Sequence, residues 1–133
     1  MTTEIPAQVF DIVRRCVADS LAVEPEKIAL TSRLVDDLGA DSLDFVDIIF
    51  MLDRELDIRV RESEFNFLTR LDFSSPEVMR EGRLTEATLA RLRDWLPALR
   101  ELPPDAPVTP GQLFSMITVE TLAILVERRL ASR

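Results

Sequence analysis

The chain has 133 residues, a net charge of −8 and an apolar fraction of 47%, which suits one compact domain with a modest core. So acidic a surface repels phosphate backbones, so no nucleic acid is expected as partner, and basic protein surfaces are favoured instead. It has no histidine, no tyrosine and a single cysteine. That removes histidine-based general base catalysis, Ser-His-Asp and Cys-His arrangements and any Cys/His zinc site. One cysteine makes no internal disulfide, which fits a reducing cytoplasm. The first six residues lack a basic region and an apolar run, so no secretory signal is expected. No apolar stretch approaches the ~18–20 residues of a membrane span.

The acidity is uneven. Residues 1–58 hold 13 Asp and Glu against 5 Lys and Arg, whereas 59–106 come to −1 and 107–133 to +1. The first 58 residues therefore carry the whole net charge, as a localised acidic face does.

Val/Ile/Thr alternation is missing, and no strand is predicted. A first helix is predicted from about Pro6 to Leu21, with Val9, Ile12, Val13, Cys16, Val17 and Leu21 as its apolar stripe. Cys16 reads as a small core residue on that stripe. A long connection follows, Ala22 to Asp41, anchored by Leu30, Leu34, Val35 and Leu38, with short turns near Glu26 and Arg33. Long connections often carry function. The second helix is predicted over Ser42 to Leu56. Asp41 is its N-cap, and Gly39 permits a tight turn at positive φ. Leu43, Val46, Ile49, Phe50 and Leu52 line apolar faces, and Asp44, Asp47, Asp53, Glu55 and Asp57 make the rest acidic.

Ser75-Pro76-Glu77 reads as a helix start, with Gly82 ending that short helix. Another helix starts at Thr85, stapled by Leu84 and Leu89. Its apolar set is Leu89, Leu92, Leu96 and Leu99, with Trp95 beside it. Residues 102–107, with three prolines, read as a stiff linker. Thr109 and Pro110 open a short helix to about Met116, and a last helix runs from Thr118 or Val119 to about Leu130. Its inner stripe is Val119, Leu122, Ala123, Val126 and Leu130.

The stretch that carries chemistry is Asp36-Asp37-Leu38-Gly39-Ala40-Asp41-Ser42-Leu43-Asp44. A serine opens a helix after a Gly-containing turn. The unpaired amides of that first turn and the helix dipole both favour an anion there. Asp41 and Ser42 as plain capping residues explain the stretch equally well. Asp36/Asp37 and Asp41/Asp44 offer a carboxylate pair or a magnesium site on paper, but acids on neighbouring helix positions face different directions and no cleft is evident, so neither a catalytic residue nor a metal is expected.

The run Leu34-x-x-Asp37-Leu38-Gly39-Ala40-Asp41-Ser42-Leu43-Asp44, followed by an acidic amphipathic helix, resembles the acyl carrier proteins. The resemblance covers about residues 4–63 and 108–131. It implies an all-α antiparallel bundle, built from residues 1–63 and 108–133, with a helical insertion over 64–107. It implies that Ser42 accepts 4′-phosphopantetheine from coenzyme A, with Asp41 and Leu43 flanking the attachment point. The protein is then a carrier and not an enzyme, because the arm supplies the reactive sulfur. Asp44 and Asp47, with Asp41, match acidic docking positions, and Val46 and Phe50, with Leu43, match apolar ones. The implied partners are a phosphopantetheinyl transferase and acyl synthases and acyltransferases with basic patches; a cytoplasmic monomer is the expectation. Arg54 departs from the commonly acidic pattern.

Asp41-Ser42-Leu43-Asp44-Phe45-x-Asp47-Ile48-x-Phe50, then Asp53-x-Glu55, also resembles specialised carriers of very long hydroxylated acyl chains for lipid A. Glu77-Val78-x-x-Glu81-Gly82-x-Leu84-Thr85-Glu86 echoes the same group. Carriage of aminoacyl or polyketide groups, and an unprimed interaction module, are the alternatives. The insertion, with Phe65, Phe67, Leu68, Leu71, Phe73 and Trp95, reads as a subdomain of its own, a cover for the acyl cavity, or a surface for a partner or second copy.

Overall fold

The computed structural model describes residues 5–59, 71–103 and 106–131. Phe65, Phe67, Leu68, the boundary expected at 63/64, and Pro104-Asp105 of the linker lie outside these.

The first helix, α1 (Ala7–Leu21), buries Val9, Val13, Cys16, Val17 and Ala18, the face that its 3.6-residue apolar spacing dictates. Ile12 and Leu21 stay half-buried at its edge. The chain leaves α1 through Ala22 in the left-handed region, φ 55°, makes a 3-10 turn at Pro25–Lys27, and buries Ile28 and Leu34. The second helix, α2 (Ser42–Leu56), turns Phe45, Ile48, Ile49 and Leu52 inward.

Two side-chain pairs join α1 and α2: Arg15 Nη2 to Glu55 Oε1 at 2.7 Å, and Ser20 Oγ to Asp47 Oδ2 at 2.7 Å. As the residue number rises on α1 it falls on α2, so the two helices run antiparallel.

The helix predicted after Ser75-Pro76 is absent. The local turn does form, with Val78 N–H donating to the Ser75 carbonyl at 3.0 Å. The chain then reverses in a short antiparallel hairpin, β1 (Met79–Arg80) and β2 (Arg83–Leu84). Glu81 and Gly82 both have positive φ, 54° and 79°, the combination that closes a two-residue hairpin. These few strand residues also correct the expectation of no strand. Helix α3 (Glu86–Arg93) starts as predicted on Thr85, whose side chain accepts from Thr88 N–H. The single helix expected to carry Leu96 and Leu99 as well breaks at the turn Asp94-Trp95, and Pro97, which lacks an N–H to continue it, opens a separate helix, α4 (Pro97–Arg100). Thr109 and Gln112 form a reciprocal capping box at the start of α5 (Pro110–Ser115).

The last helix, α6 (Val119–Ala131), has every residue from Thr121 to Val126 buried. Six consecutive buried positions exceed one turn, so α6 needs neighbours on more than one side. Helix α1 is one of them. Another approach comes from the segment before α4, where Arg128 Nη2 reaches Asp94. Leu89, Leu92, Trp95, Leu96 and Leu99 belong to the same buried cluster as Val13, Leu52 and Leu122. The start of α6 is held by the α1–α2 connection. Val119 N–H donates to the Ser32 carbonyl (3.0 Å), Glu120 N–H to that of Leu30 (2.9 Å), and Leu34 N–H returns to Ile117 (3.0 Å). Two N–H groups that a helix start leaves unpaired are thereby satisfied. Among the described residues no helix is long and apolar enough to cross a membrane.

Candidate functional site at the start of the second helix

The site is built on a fixed loop. Asp37 Oδ2 accepts from the Arg33 N–H at 2.8 Å, while the Leu38 and Gly39 N–H groups return to the Arg33 and Val35 carbonyls. Asp36 pairs with Arg33 at 3.9 Å. The two acids that precede the motif thus shape the turn. Gly39 takes φ 76°, which glycine adopts without the cost a Cβ would bring. Ala40, buried, donates to the Leu34 carbonyl at 2.8 Å.

Ser42 is the first residue of α2, directly after the N-cap Asp41. Asp41 Oδ1 accepts from the Asp44 N–H, and Asp44 Oδ2 accepts from the Asp41 N–H, each at 2.9 Å. This is a reciprocal capping box. It satisfies two backbone donors and sets two carboxylates at the positive end of the helix dipole. The Asp41 cap is legible in sequence; the bond that its own N–H donates to the Asp44 carboxylate is signalled only by the three-residue spacing of the two acids.

Beyond Ser42 the helix divides into two faces. Leu43, Val46 and Phe50 are 77%, 51% and 56% exposed. Their spacing of three and four residues puts them on one side, so three large apolar side chains form a largely exposed stripe. Asp47 lies exposed on the next turn after Asp44. The sequence-predicted residues Asp41, Ser42, Leu43, Asp44, Val46, Asp47 and Phe50 therefore share the first half of α2, while Ile49 and Leu52, first read with the apolar positions, go to the core. Sequence reasoning missed Ser20 of α1, which donates to Asp47. Its only signal is the antiparallel register of two helices, which no local motif shows.

Among the described residues, clefts also lie away from Ser42. One of about 340 Å³ sits at the far end of α2, between Phe50, Asp53, Arg54 and Arg59. A wider one, about 720 Å³, runs along the hairpin and α3 past Arg80, Arg83 and Glu86. Cys16 is buried on α1. Burial, then the Glu55 carboxylate, pushes its thiol up to about 11, so it holds its proton at neutral pH and is a poor nucleophile. Among the described residues no group of three or more Asp, Glu or Cys is arranged to hold a metal ion.

Residues 11–73 match the family model for the phosphopantetheine attachment site. An acyl carrier protein of Campylobacter curvus is 39% identical over 56 residues, covering 42% of this chain and 73% of that protein. One from Campylobacter lari is 31% identical over 64 residues, covering 48% and 83%. One from Clostridium perfringens strain SM101 is 40% identical over 55 residues, covering 41% and 72%. The chain belongs to the acyl carrier protein family. No solved structure gives a significant match. Acyl carrier proteins are carriers and not enzymes, and their prosthetic group is 4′-phosphopantetheine. The start of α2 suits such a group: a serine opens an α-helix of 15 residues, where the dipole and first-turn amides favour a phosphodiester. The mostly helical architecture is also that of the family.

Proposed function

We propose that Ser42 bears the 4′-phosphopantetheine arm, with Asp41 and Leu43 flanking it, and that the chain passes acyl groups between enzymes. When bound, the arm supplies a terminal thiol on which acyl groups ride as thioesters. The observation that carries this reading is the place of Ser42: it opens α2 directly after a reciprocally capped Asp41 and beside a largely exposed apolar stripe. Asp44, Asp47, Val46 and Phe50 then form the docking surface. Carboxylates around exposed apolar side chains fit basic patches on a phosphopantetheinyl transferase, acyl synthases and acyltransferases. Charge complementarity of this kind gives fast, exchangeable encounters.

The pathway we assign is specialised fatty-acid or lipid assembly, including lipid A, in the cytoplasm, with the carrier as a monomer. Its support is the likeness of residues 41–55 and 77–86 to carriers of very long hydroxylated chains. The bundle comprises residues 1–63 and 108–133, and 64–107 is an insertion that packs with it. The burial of Trp95 and Leu96 in the cluster that includes α6 supports packing over a free-standing subdomain.

The test is intact mass after incubation with coenzyme A and a broad-specificity transferase. One phosphopantetheinyl increment is expected, and Ser42→Ala removes it. An increment that persists in Ser42→Ala moves the attachment point. Folded wild-type chain that gains none favours an unprimed interaction module, or a carrier that needs its own dedicated transferase.

A further inference from the structure

Three carboxylates stand around the start of α2, and each is held by one oxygen only. Asp41 Oδ1 and Asp44 Oδ2 are committed to the capping box. Asp47 Oδ2 accepts from the Ser20 hydroxyl at 2.7 Å, a length typical of an O–H donor on a charged acceptor. Among the described residues the second oxygen of each has no partner. The ion pairs of α1 and of the α1–α2 connection go to other acids: Arg14 to Asp11, Arg15 to Glu55, Lys27 to Glu24 and Arg33 to Asp36. Asp41 and Asp44 owe their orientation to the backbone of their own helix. Asp47, one turn further on, owes it to a different helix.

We infer that Ser20 is a positioning residue for partner docking: it fixes the Asp47 carboxylate so that its second oxygen meets a guanidinium or ammonium of the partner enzyme. The inference rests on the docking role given to Asp47 above. An exposed aspartate left to itself samples several rotamers, and ordering it on association costs free energy. A hydrogen bond from α1 meets that cost before the partner arrives. It also makes the position of the docking carboxylate depend on the α1–α2 register, so the recognition surface extends beyond the helix that bears Ser42.

The experiment is steady-state kinetics of phosphopantetheinyl transfer from coenzyme A, with the full-length carrier as varied substrate. Wild type, Ser20→Ala, Ser20→Thr, Asp47→Ala and the Ser20→Ala/Asp47→Ala double variant are compared, with thermal melts as a check on folding. Ser20→Ala is expected to raise KM about two- to fivefold, the worth of one exposed hydrogen bond, with kcat unchanged. Ser20→Thr keeps the hydroxyl and restores KM, and Ser20→Ala adds nothing once Asp47 is alanine. If Asp47→Ala raises KM and Ser20→Ala does not, Asp47 docks without Ser20 and the inference falls alone. An equal effect of Ser20→Ala in both backgrounds makes its role one of folding and also overturns it. If Asp47→Ala leaves KM unchanged, the docking role of Asp47 falls and takes the inference with it; the Ser42 attachment is tested separately by mass.

Discussion

Arg128 of α6 donates to both the backbone carbonyl and the carboxylate of Asp94, at 3.3 Å and 3.0 Å. The pair ties the last helix to the turn between α3 and α4. Its side chains are 36% and 73% exposed, so solvent screens it, and it orients more than it stabilises. The apolar neighbours differ in kind. Trp95 follows Asp94 directly, is 2% exposed, and shares one cluster with Leu92, Leu96 and Leu122.

Trp95→Ala should therefore cost about 3–5 kcal/mol, the range for deleting a buried aromatic side chain, whereas Arg128→Ala should cost about 1 kcal/mol or less. Urea denaturation followed by far-UV circular dichroism measures both. A single transition that moves strongly in Trp95→Ala means that the segment around α3 and α4 unfolds with the bundle. A loss below about 1 kcal/mol would contradict a shared core.

Asp41→Ala should destabilise the chain by about 1 kcal/mol, because it leaves a first-turn N–H of α2 without its acceptor and strips the Asp44 carboxylate of its reciprocal arrangement. Asp41→Asn keeps an acceptor oxygen at the cap and should cost only a few tenths of that, since the two residues cap about equally well. Chemical denaturation of the two variants checks the order. Equal losses in both would mean that charge at the helix terminus, not the hydrogen bond, is what counts.

The site was legible from residues because its parts are local. Asp41, Ser42 and Leu43 follow one another, Gly39 sets its own backbone, and a cap declares itself by residue type. The same holds for the starts of α3 and α5 on Thr85 and Thr109. Ser75-Pro76 misled because its turn is real but nothing beyond it sustains a helix. Val78 and Met79 are only half-buried, and Glu81-Gly82 reverses the chain before a second turn can form. The exposure of Leu43, Val46 and Phe50 follows from the family resemblance, which puts them at a docking surface, and not from the apolar spacing itself. Apolar residues occur on both faces of α2, and only the packing of α1 decides that Phe45, Ile48, Ile49 and Leu52 go inward.

The hairpin offers a stabilising change. Glu81 holds φ 54°, a region that costs a side chain with a Cβ about 1 kcal/mol and that asparagine or glycine enters more cheaply. Its ion pair with Arg83, 3.3 Å long and largely exposed, is worth less than that. Glu81→Asn should thus raise the unfolding free energy by about half a kcal/mol or more. A lower melting temperature in Glu81→Asn would show that the ion pair outweighs the backbone term.

Cys16 gives the chain a pH-dependent contribution at its alkaline end. Desolvation, reinforced by the Glu55 carboxylate, raises the folded thiol from its ordinary 9.0 to about 11. In the unfolded chain the thiol ionises near its ordinary value, so between pH 9 and about 11 the unfolded state binds fewer protons than the folded one, and stability falls as pH rises. The contribution is fully present below pH 9 and is lost through about pH 11. Other groups titrate in this window, so the measurement is a difference: urea unfolding of wild type and Cys16→Ala at a series of pH values from 8 to 11. The stability advantage of wild type should shrink steadily above pH 9, and alkylation of the native thiol at pH 8 should be far slower than in denaturant. A pH-independent difference, together with rapid alkylation of the folded chain, would mean that the Cys16 thiol is not held protonated by the α1 packing.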